Sequence, residues 1–222
     1  MIADRYDLSP LGFQGHLLAT PGHSPGCCCL YERRSRVLFS GDHLLKHITP
    51  NPFHETNRSR LRDPAYKSLK SYMASLDKLE PLDIRYAFPA HGEFIEDVAG
   101  LLEGYRDHHR ARTETILSAL GHGAHSVYDL AGAVFPSAEE SEAFLAVSEI
   151  IVHLEILVEE DRLQQRRRIL DHRTVIDVAA DATAGHHRVD PRLAVDRSNK
   201  DVASLYTAAD PAVIRITQGS IT

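Results

Sequence analysis

The sequence lacks the features that mark a membrane or nucleic-acid protein. No apolar run approaches the roughly 20 residues that a transmembrane helix needs, and the first residues, MIADRYDLSPLGF, lack the basic-then-apolar pattern of a secretory signal. Lysine and arginine total 25 against 31 acidic residues, so the net charge of -6 does not attract phosphate backbones or anionic lipids. We therefore expect a cytoplasmic protein with no membrane partner, for which nucleic acid is an improbable partner.

Cysteine is also scarce, and its placement argues against disulfides. The three cysteines, Cys27, Cys28 and Cys29, are consecutive. Neighbouring residues in a strand point to opposite faces, so bonds among these three would be geometrically poor. We expect free thiols that behave as small buried apolar side chains.

What the sequence does contain is an ordinary globular composition. It has 222 residues, 43% hydrophobic and 25% charged, enough for one sizeable domain or two small ones. Short apolar runs bounded by Pro, Gly and Arg-Ser clusters predict strands, with ERRSR as a hairpin between the last two; these runs are residues 16–20, 27–31 and 37–40.

The next segments alternate between helix and strand patterns. Residues 64–79 have apolar side chains at three- and four-residue steps, which predicts an amphipathic helix with Asp63 as its cap. Residues 84–88 predict a buried strand, and residues 95–120 a second helix. This order indicates an α/β layered domain over residues 1–112, with its chemistry in loops at strand ends.

A second domain is predicted over residues 113–170. Two helical patterns followed by the segment DRLQQRRRIL, which suits a β-ribbon, resemble a winged helix. Its charge does not suit nucleic-acid binding, the usual role of that fold. Residues 113–170 contain ten acidic and four basic residues, and only the cluster from Arg166 to Arg168 favours binding to phosphate. Residues 171–222 form a tail without clear periodicity, apart from VIRITQ as one candidate strand.

Three loops each present one ligand-type side chain directly after a strand. TPGHSPG holds His23 between two Pro-Gly pairs, which suits a preset metal ligand, although an ordinary turn with a surface histidine fits this segment equally well. SGDHLL places Asp42 after a strand and a glycine; taken alone, it would be read as a turn or cap aspartate. We leave the adjacent His43 outside the set of ligands. FPAHGE repeats the arrangement with His91, and the threefold recurrence favours a metal site over three separate turns.

Taken in order, TPGHSPG, SGDHLL with ITPNP, SYMASLDKLEPL and FPAHGE resemble the C-terminal half of the metallo-β-lactamase superfamily catalytic domain, over roughly residues 15–100. The resemblance implies a partial αββα fold of stacked helix, sheet, sheet and helix layers, with metals at one edge. It also implies that His23 completes a first zinc site, that Asp42 bridges two metals and that His91 binds the second. Paired cations lower the pKa of water from about 15.7 towards 7, and Asp42 would orient that water as the catalytic carboxylate.

The sequence departs from this family at one motif. The upstream His-x-His-x-Asp-His string that supplies the remaining ligands is absent, and the other histidine clusters do not have its spacing. His108 and His109 are predicted to be solvated on a helix; the remaining pairs, in a Gly-rich linker and in the tail, are His122 with His125 and His186 with His187. Three ligands for two metals fall short of the usual three to four per zinc.

Three functions follow from these observations. The leading one is a metal-dependent hydrolase of an ester, thioester or related bond, with zinc, iron or manganese as the cofactor and a small molecule as the substrate. It needs a partner or further segment to complete the sheet and the site, so we expect this chain alone to be weak or inactive. The alternatives are a non-catalytic interaction protein that retains the fold and a nucleic-acid-processing β-lactamase-like protein.

Overall fold

The computed structural model describes residues 4–55, 63, 65–121, 126–170, 173–180 and 213–216. These residues form two compact units, the first containing the described residues up to 112 and the second those from 113 onward. None of the helices in the described ranges combines the length and the apolar character that a membrane span requires.

The first unit is built on a five-stranded sheet whose strands lie side by side in chain order. They are β1 (Arg5–Asp7), β2 (Gly15–Ala19), β3 (Cys28–Glu32), β4 (Val37–Gly41) and β5 (Tyr86–Pro89). Neighbours from β1 to β4 are antiparallel, whereas β5 is parallel to β4. Helix α1 (Ser68–Leu79) lies between β4 and β5 in the chain, and α2 (Val98–Gly121) follows β5. The mixed α/β class expected from the sequence is confirmed.

Two predicted boundaries need correction. Asp63 does not cap α1: the residue at the cap position is Lys67, whose side chain makes no capping hydrogen bond, while Asp63 Oδ1 accepts from the Ala65 N–H at 2.9 Å. The aspartate therefore closes a local turn ahead of the helix. Helix α2 begins at Val98, later than predicted. Ile95 exchanges backbone hydrogen bonds with Ala87 of β5, at 2.9 and 2.8 Å, so it forms a β-bridge and is not part of the helix.

One face of the sheet packs against α1 and α2. Alternate residues of the strands point to this face, and together with helix residues they form a continuous apolar cluster that includes Leu18, Cys29, Leu38, Tyr72, Leu76, Ala87, Leu102 and Tyr105. All three cysteines are free, as predicted, but only Cys29 is buried, and Cys27 and Cys28 are half-buried. This packing of α1 and α2 against one face holds the strands in place.

The opposite face carries a second apolar row, which is open. Leu17, Leu30, Phe39 and Phe88 are successive register partners on β2, β3, β4 and β5, and partners across a sheet share a face. Phe39 is 48% exposed and Phe88 41% exposed. Phe39 stacks on Phe88 with ring centroids 5.8 Å apart, and Phe88 stacks on Phe94 at 5.9 Å. We refer to these five residues as the open-face row.

The second unit contains α3 (Val127–Val134) and α4 (Ala143–Glu159), followed by the strands β6 (Leu163–Leu170), β7 (Arg173–Ala180) and β8 (Val213–Ile216). Strands β6 and β7 are antiparallel, as the predicted ribbon requires, and β8 adds a parallel strand at the predicted VIRITQ segment. These helices share an apolar core with the end of α2, whose residues from 113 onward belong to this unit; the core includes Ile116, Leu130, Ile150, Leu154 and Leu157. The Ser126 side chain caps α3 by accepting from the Asp129 N–H at 3.0 Å.

Candidate metal centre

Strand directions bring the three predicted ligand loops to one edge of the sheet. β2 and β4 are both antiparallel to β3, so they run in the same direction, and β5 is parallel to β4. The loops that carry His23, Asp42 and His91 therefore leave the sheet at the same edge. Binding and catalytic residues are disproportionately common on loops that a rigid scaffold positions, so this edge is the candidate site.

Asp42 and His91 are in direct contact at this edge. Asp42 Oδ1 lies 3.2 Å from His91 Nε2. Asp42 Oδ1 is buried and has no hydrogen-bond partner in the described part of the chain, so the contact is a close approach of two ligand atoms and not a well-directed hydrogen bond. A buried carboxylate oxygen that lacks such a partner and lies beside an imidazole nitrogen fits the donor set that a divalent cation takes up.

Several contacts fix the two loops relative to each other. The carbonyl of Gly41 accepts from the Ala90 N–H at 3.0 Å, which joins the residues that precede Asp42 and His91. Farther out, Lys46 Nζ donates to Glu93 Oε2 at 2.9 Å. Because these bonds lie before and after Asp42 and His91 in the chain, they fix the backbones of the two loops relative to each other.

His23 is oriented by its own set of contacts. Its Nδ1 lies 3.0 Å from the carbonyl oxygen of Asn51, and because a carbonyl only accepts, Nδ1 is the protonated nitrogen in the neutral ring. The Phe53 ring packs edge-on at 5.1 Å. This arrangement leaves Nε2 with its lone pair, the tautomer that metal-binding histidines adopt when their other nitrogen is held by a carbonyl.

The structure does not assemble all three predicted ligands into one group. Among the described residues, no set of three or more His, Cys, Asp or Glu side chains is arranged to hold a metal ion. Asp42 and His91 meet, whereas His23 lies on the same edge without joining them in such a set. Their assignment as ligands therefore stays a prediction.

His43 lies beneath this edge and points into the core. It is fully buried, and burial lowers its pKa to about 3, so the ring is neutral. Neither ring nitrogen has a hydrogen-bond partner within the described ranges, and the ring packs against Tyr72 with centroids 4.9 Å apart. Its direction agrees with leaving it outside the predicted ligands.

Two buried tyrosines, which no sequence motif marks, contact the segment after Asp42. The Tyr72 hydroxyl donates to the His43 carbonyl at 3.0 Å. The Tyr105 hydroxyl accepts from the Leu45 N–H at 2.8 Å and donates to the Leu45 carbonyl. Burial raises the pKa of Tyr72 well above its usual range and that of Tyr105 to about 12, so both remain protonated. Both lie within predicted helices, and a helical pattern does not reveal contacts with residues that are distant in sequence.

The other histidine predictions have mixed outcomes. His109 is 5% exposed and packs edge-on against Tyr72 at 5.7 Å, so the prediction that it is solvated is wrong. It lies on the face of α2 that also carries Leu102 and Tyr105, and this face packs on the core. His108 is half-buried. His122 with His125, and His186 with His187, lie outside the described residues.

Comparisons with known proteins agree with the resemblance. Residues 4–91 match the family model described as the metallo-beta-lactamase superfamily. The chain is 33% identical over 153 residues to the probable metallo-hydrolase YqjP of Bacillus subtilis, covering 68% of this chain and 47% of that protein.

Two solved structures show the same likeness. A metallo-beta-lactamase family protein from Thermus thermophilus is 32% identical, with a TM-score of 0.58 over 68% of this chain and 46% of its own. A beta-lactamase domain protein from Burkholderia ambifaria is 26% identical, with a TM-score of 0.63 over 75% of this chain and 48% of its own. The chain thus spans less than half the length of each of these relatives. Residues 4–91 thus match the metallo-beta-lactamase superfamily, as the sequence motifs indicated.

Proposed function

We propose that this chain supplies part of the active site of a metal-dependent hydrolase, with His23, Asp42 and His91 as metal ligands. The observation that carries the proposal is the approach of Asp42 Oδ1 to His91 Nε2 at 3.2 Å, with the carboxylate oxygen buried and lacking a hydrogen-bond partner among the described residues. Zinc is the metal we favour, and iron and manganese suit the same donors. The substrate we propose is a small molecule with an ester, thioester or related bond.

The roles of the residues follow from their positions. Bound divalent cations lower the pKa of water and polarise the scissile group. Asp42 would accept a hydrogen bond from the attacking water and orient it towards the substrate carbonyl. His23, held through Nδ1 by the Asn51 carbonyl, would present Nε2 to the metal without having to reorganise. No serine or cysteine nucleophile is required.

We further propose that another polypeptide segment completes the site and covers the open-face row. Three ligands are too few for two metal ions, since each zinc usually takes three to four protein ligands. The open-face row crosses four strands, and its residues Phe39 and Phe88 lie three positions before Asp42 and His91 in the chain. A segment packed on this row could therefore place its own residues beside those ligands. The relatives' additional length is consistent with such a segment.

Metal binding by the chain itself tests the first part of the proposal. Nuclear magnetic resonance of the histidine ring protons during titration with Zn²⁺ detects even weak binding, and we expect the His91 and His23 signals to shift. Asp42→Asn should weaken binding about tenfold or more, because it removes a carboxylate ligand while retaining its size. His47→Gln is the matched control, because His47 is an exposed histidine near the same edge that contacts Glu93 at 3.6 Å.

Three results would count against the hydrolase. The first is a wild-type chain whose histidine signals do not respond to Zn²⁺, Fe²⁺ or Mn²⁺. The second is an equal loss of binding in Asp42→Asn and His47→Gln, which would point to nonspecific surface binding. The third is a lack of metal-dependent ester or thioester hydrolysis when the chain is combined with a polypeptide that supplies the remaining ligands.

A non-catalytic interaction protein is the second candidate. It is favoured by the lack of a three-ligand group among the described residues and by the open-face row. Substantial hydrolysis by this chain alone at stoichiometric zinc would contradict it. Nucleic-acid processing ranks last, because the second unit is acidic overall; its order of helices followed by an antiparallel ribbon is nevertheless consistent with a winged-helix-like domain, which we propose for residues 113–170.

A further inference from the structure

We propose that Tyr72 and Tyr105 are positioning residues, whose hydroxyl groups fix the backbone after Asp42 so that its carboxylate faces His91. This inference rests on the proposed metal-dependent function. It concerns the segment 42–48, which leaves β4 at the edge of the sheet and carries no regular secondary structure of its own. Side-chain contacts must therefore hold it.

Tyr105 makes the denser set of contacts. Its hydroxyl accepts from the Leu45 N–H at 2.8 Å, donates to the Leu45 carbonyl and lies 3.4 Å from the carbonyl of Ile48. One phenol thus replaces the partners that a strand or helix would have given to the backbone of Leu45. Leu45 is buried, so its N–H would otherwise lack a partner away from water.

Tyr72 contacts a residue that is closer in the chain to Asp42. Its hydroxyl donates to the carbonyl of His43, the residue directly after Asp42, at 3.0 Å. The tyrosine ring also packs against the buried His43 ring, which has no polar partner among the described residues that could anchor it. The peptide between His43 and Leu44 is therefore fixed from helix α1, while Tyr105 fixes the backbone of Leu45 from helix α2.

The segment also has contacts to the loop after β5, through Lys46 and Glu93, and to the strand β4 that precedes it. The His43 N–H donates to the Ser40 carbonyl at 3.1 Å, and Ser40 Oγ lies 3.3 Å from the carbonyl of Leu44. These bonds close the turn but do not tie it to the helices. The two tyrosines provide that tie, and they are fully buried or nearly so, with 0% and 3% exposure. A rigid support of this kind is what a metal ligand on a loop requires.

The test compares three tyrosine-to-phenylalanine variants of the full chain, each of which removes one buried hydroxyl. Tyr72→Phe and Tyr105→Phe remove the bonds to the segment. Tyr31→Phe is the matched control, because the buried Tyr31 donates to the Asp83 carbonyl at 2.9 Å, away from the ligand edge. Zn²⁺ affinity is measured by histidine-detected titration, amide exchange at Leu45 by nuclear magnetic resonance, and global stability by urea unfolding.

We expect Tyr72→Phe and Tyr105→Phe to weaken Zn²⁺ binding about tenfold, the usual scale for loss of a group that orients a metal ligand. Amide exchange at Leu45 should become faster in Tyr105→Phe, beyond any change explained by global stability. Tyr31→Phe should lower stability comparably and leave Zn²⁺ affinity unchanged.

The proposal is overturned if all three variants bind Zn²⁺ as the wild type does, or if Tyr31→Phe weakens binding as much as the other two. A wild-type chain that binds no metal defeats the proposed function itself, before any variant is compared, and the positioning role then falls with it. The two failures are thereby distinguished.

Discussion

Gly22 lies directly against Tyr72. A Cβ placed on Gly22 would be 2.4 Å from the Cα of Tyr72 and 2.5 Å from its Cβ, and the glycine has a φ of +152°. The residue before His23 therefore touches the backbone of helix α1 in a conformation that side chains rarely adopt. This approach connects the His23 loop to the same helix that holds the segment after Asp42.

Gly22→Ala should destabilise the protein and displace His23. The new methyl group would collide with helix backbone, which cannot rotate away as a flexible side chain could, and the positive φ would add strain. We expect the free energy of unfolding to fall by about 3 kcal/mol. Urea unfolding measures this loss. Gly26→Ala, on the other side of His23, is the control: its Cβ would meet nothing within 4 Å, and the two variants should differ clearly.

Acid should weaken the fold in part through His16. This ring is 5% exposed, and burial, with smaller contributions from Arg5 and Arg33, lowers its pKa below 6.5; Asp7 opposes the shift from 3.5 Å. His16 therefore binds a proton more tightly in the unfolded chain than in the folded one. Its contribution makes the free energy of unfolding fall as the pH drops below about 6.5. For one group, the slope can reach about 1.4 kcal/mol per pH unit.

Urea unfolding at a series of pH values between neutral and mildly acidic measures this dependence. His16→Gln should reduce the slope, and a residual slope should remain because burial also lowers the pKa of His43. Identical slopes in the wild type and in His16→Gln would show that His16 takes up its proton as readily in the folded state as in the unfolded one.

The open-face row should contribute little to the stability of the chain by itself. Replacing both Phe39 and Phe88 by threonine removes a stacked but exposed pair, and we expect a loss of only about 1 kcal/mol. Binding of the apolar dye ANS and concentration-dependent self-association in sedimentation should both decrease. Leu38→Ala, next to Phe39 in the strand but on the buried face, should cost about 2–5 kcal/mol. If the double variant is as costly as Leu38→Ala, the row is packed within the chain and needs no partner.

Local sequence patterns predicted some elements of the first unit accurately and others poorly. Alternating apolar runs located β2, β3 and β4 within one or two residues, and the spacing from Tyr66 to Leu79 predicted α1. The start of α2 was misplaced because the backbone of Ile95 pairs with Ala87, a contact between segments that no helical period reveals. His109 was misjudged for a similar reason: which face of α2 is buried depends on where α1 lies.

By itself, the sequence determined that His23, Asp42 and His91 each follow an apolar strand, and it predicted that these side chains carry the chemistry. The placement of these residues after strands is a local property, encoded by apolar runs that end at proline and glycine. Only the tertiary structure decided that the strands run so that Asp42 Oδ1 meets His91 Nε2, and that Tyr72 and Tyr105 support the intervening backbone. These relationships join residues 29 to 60 positions apart, and their geometry depends on how the sheet and helices pack together.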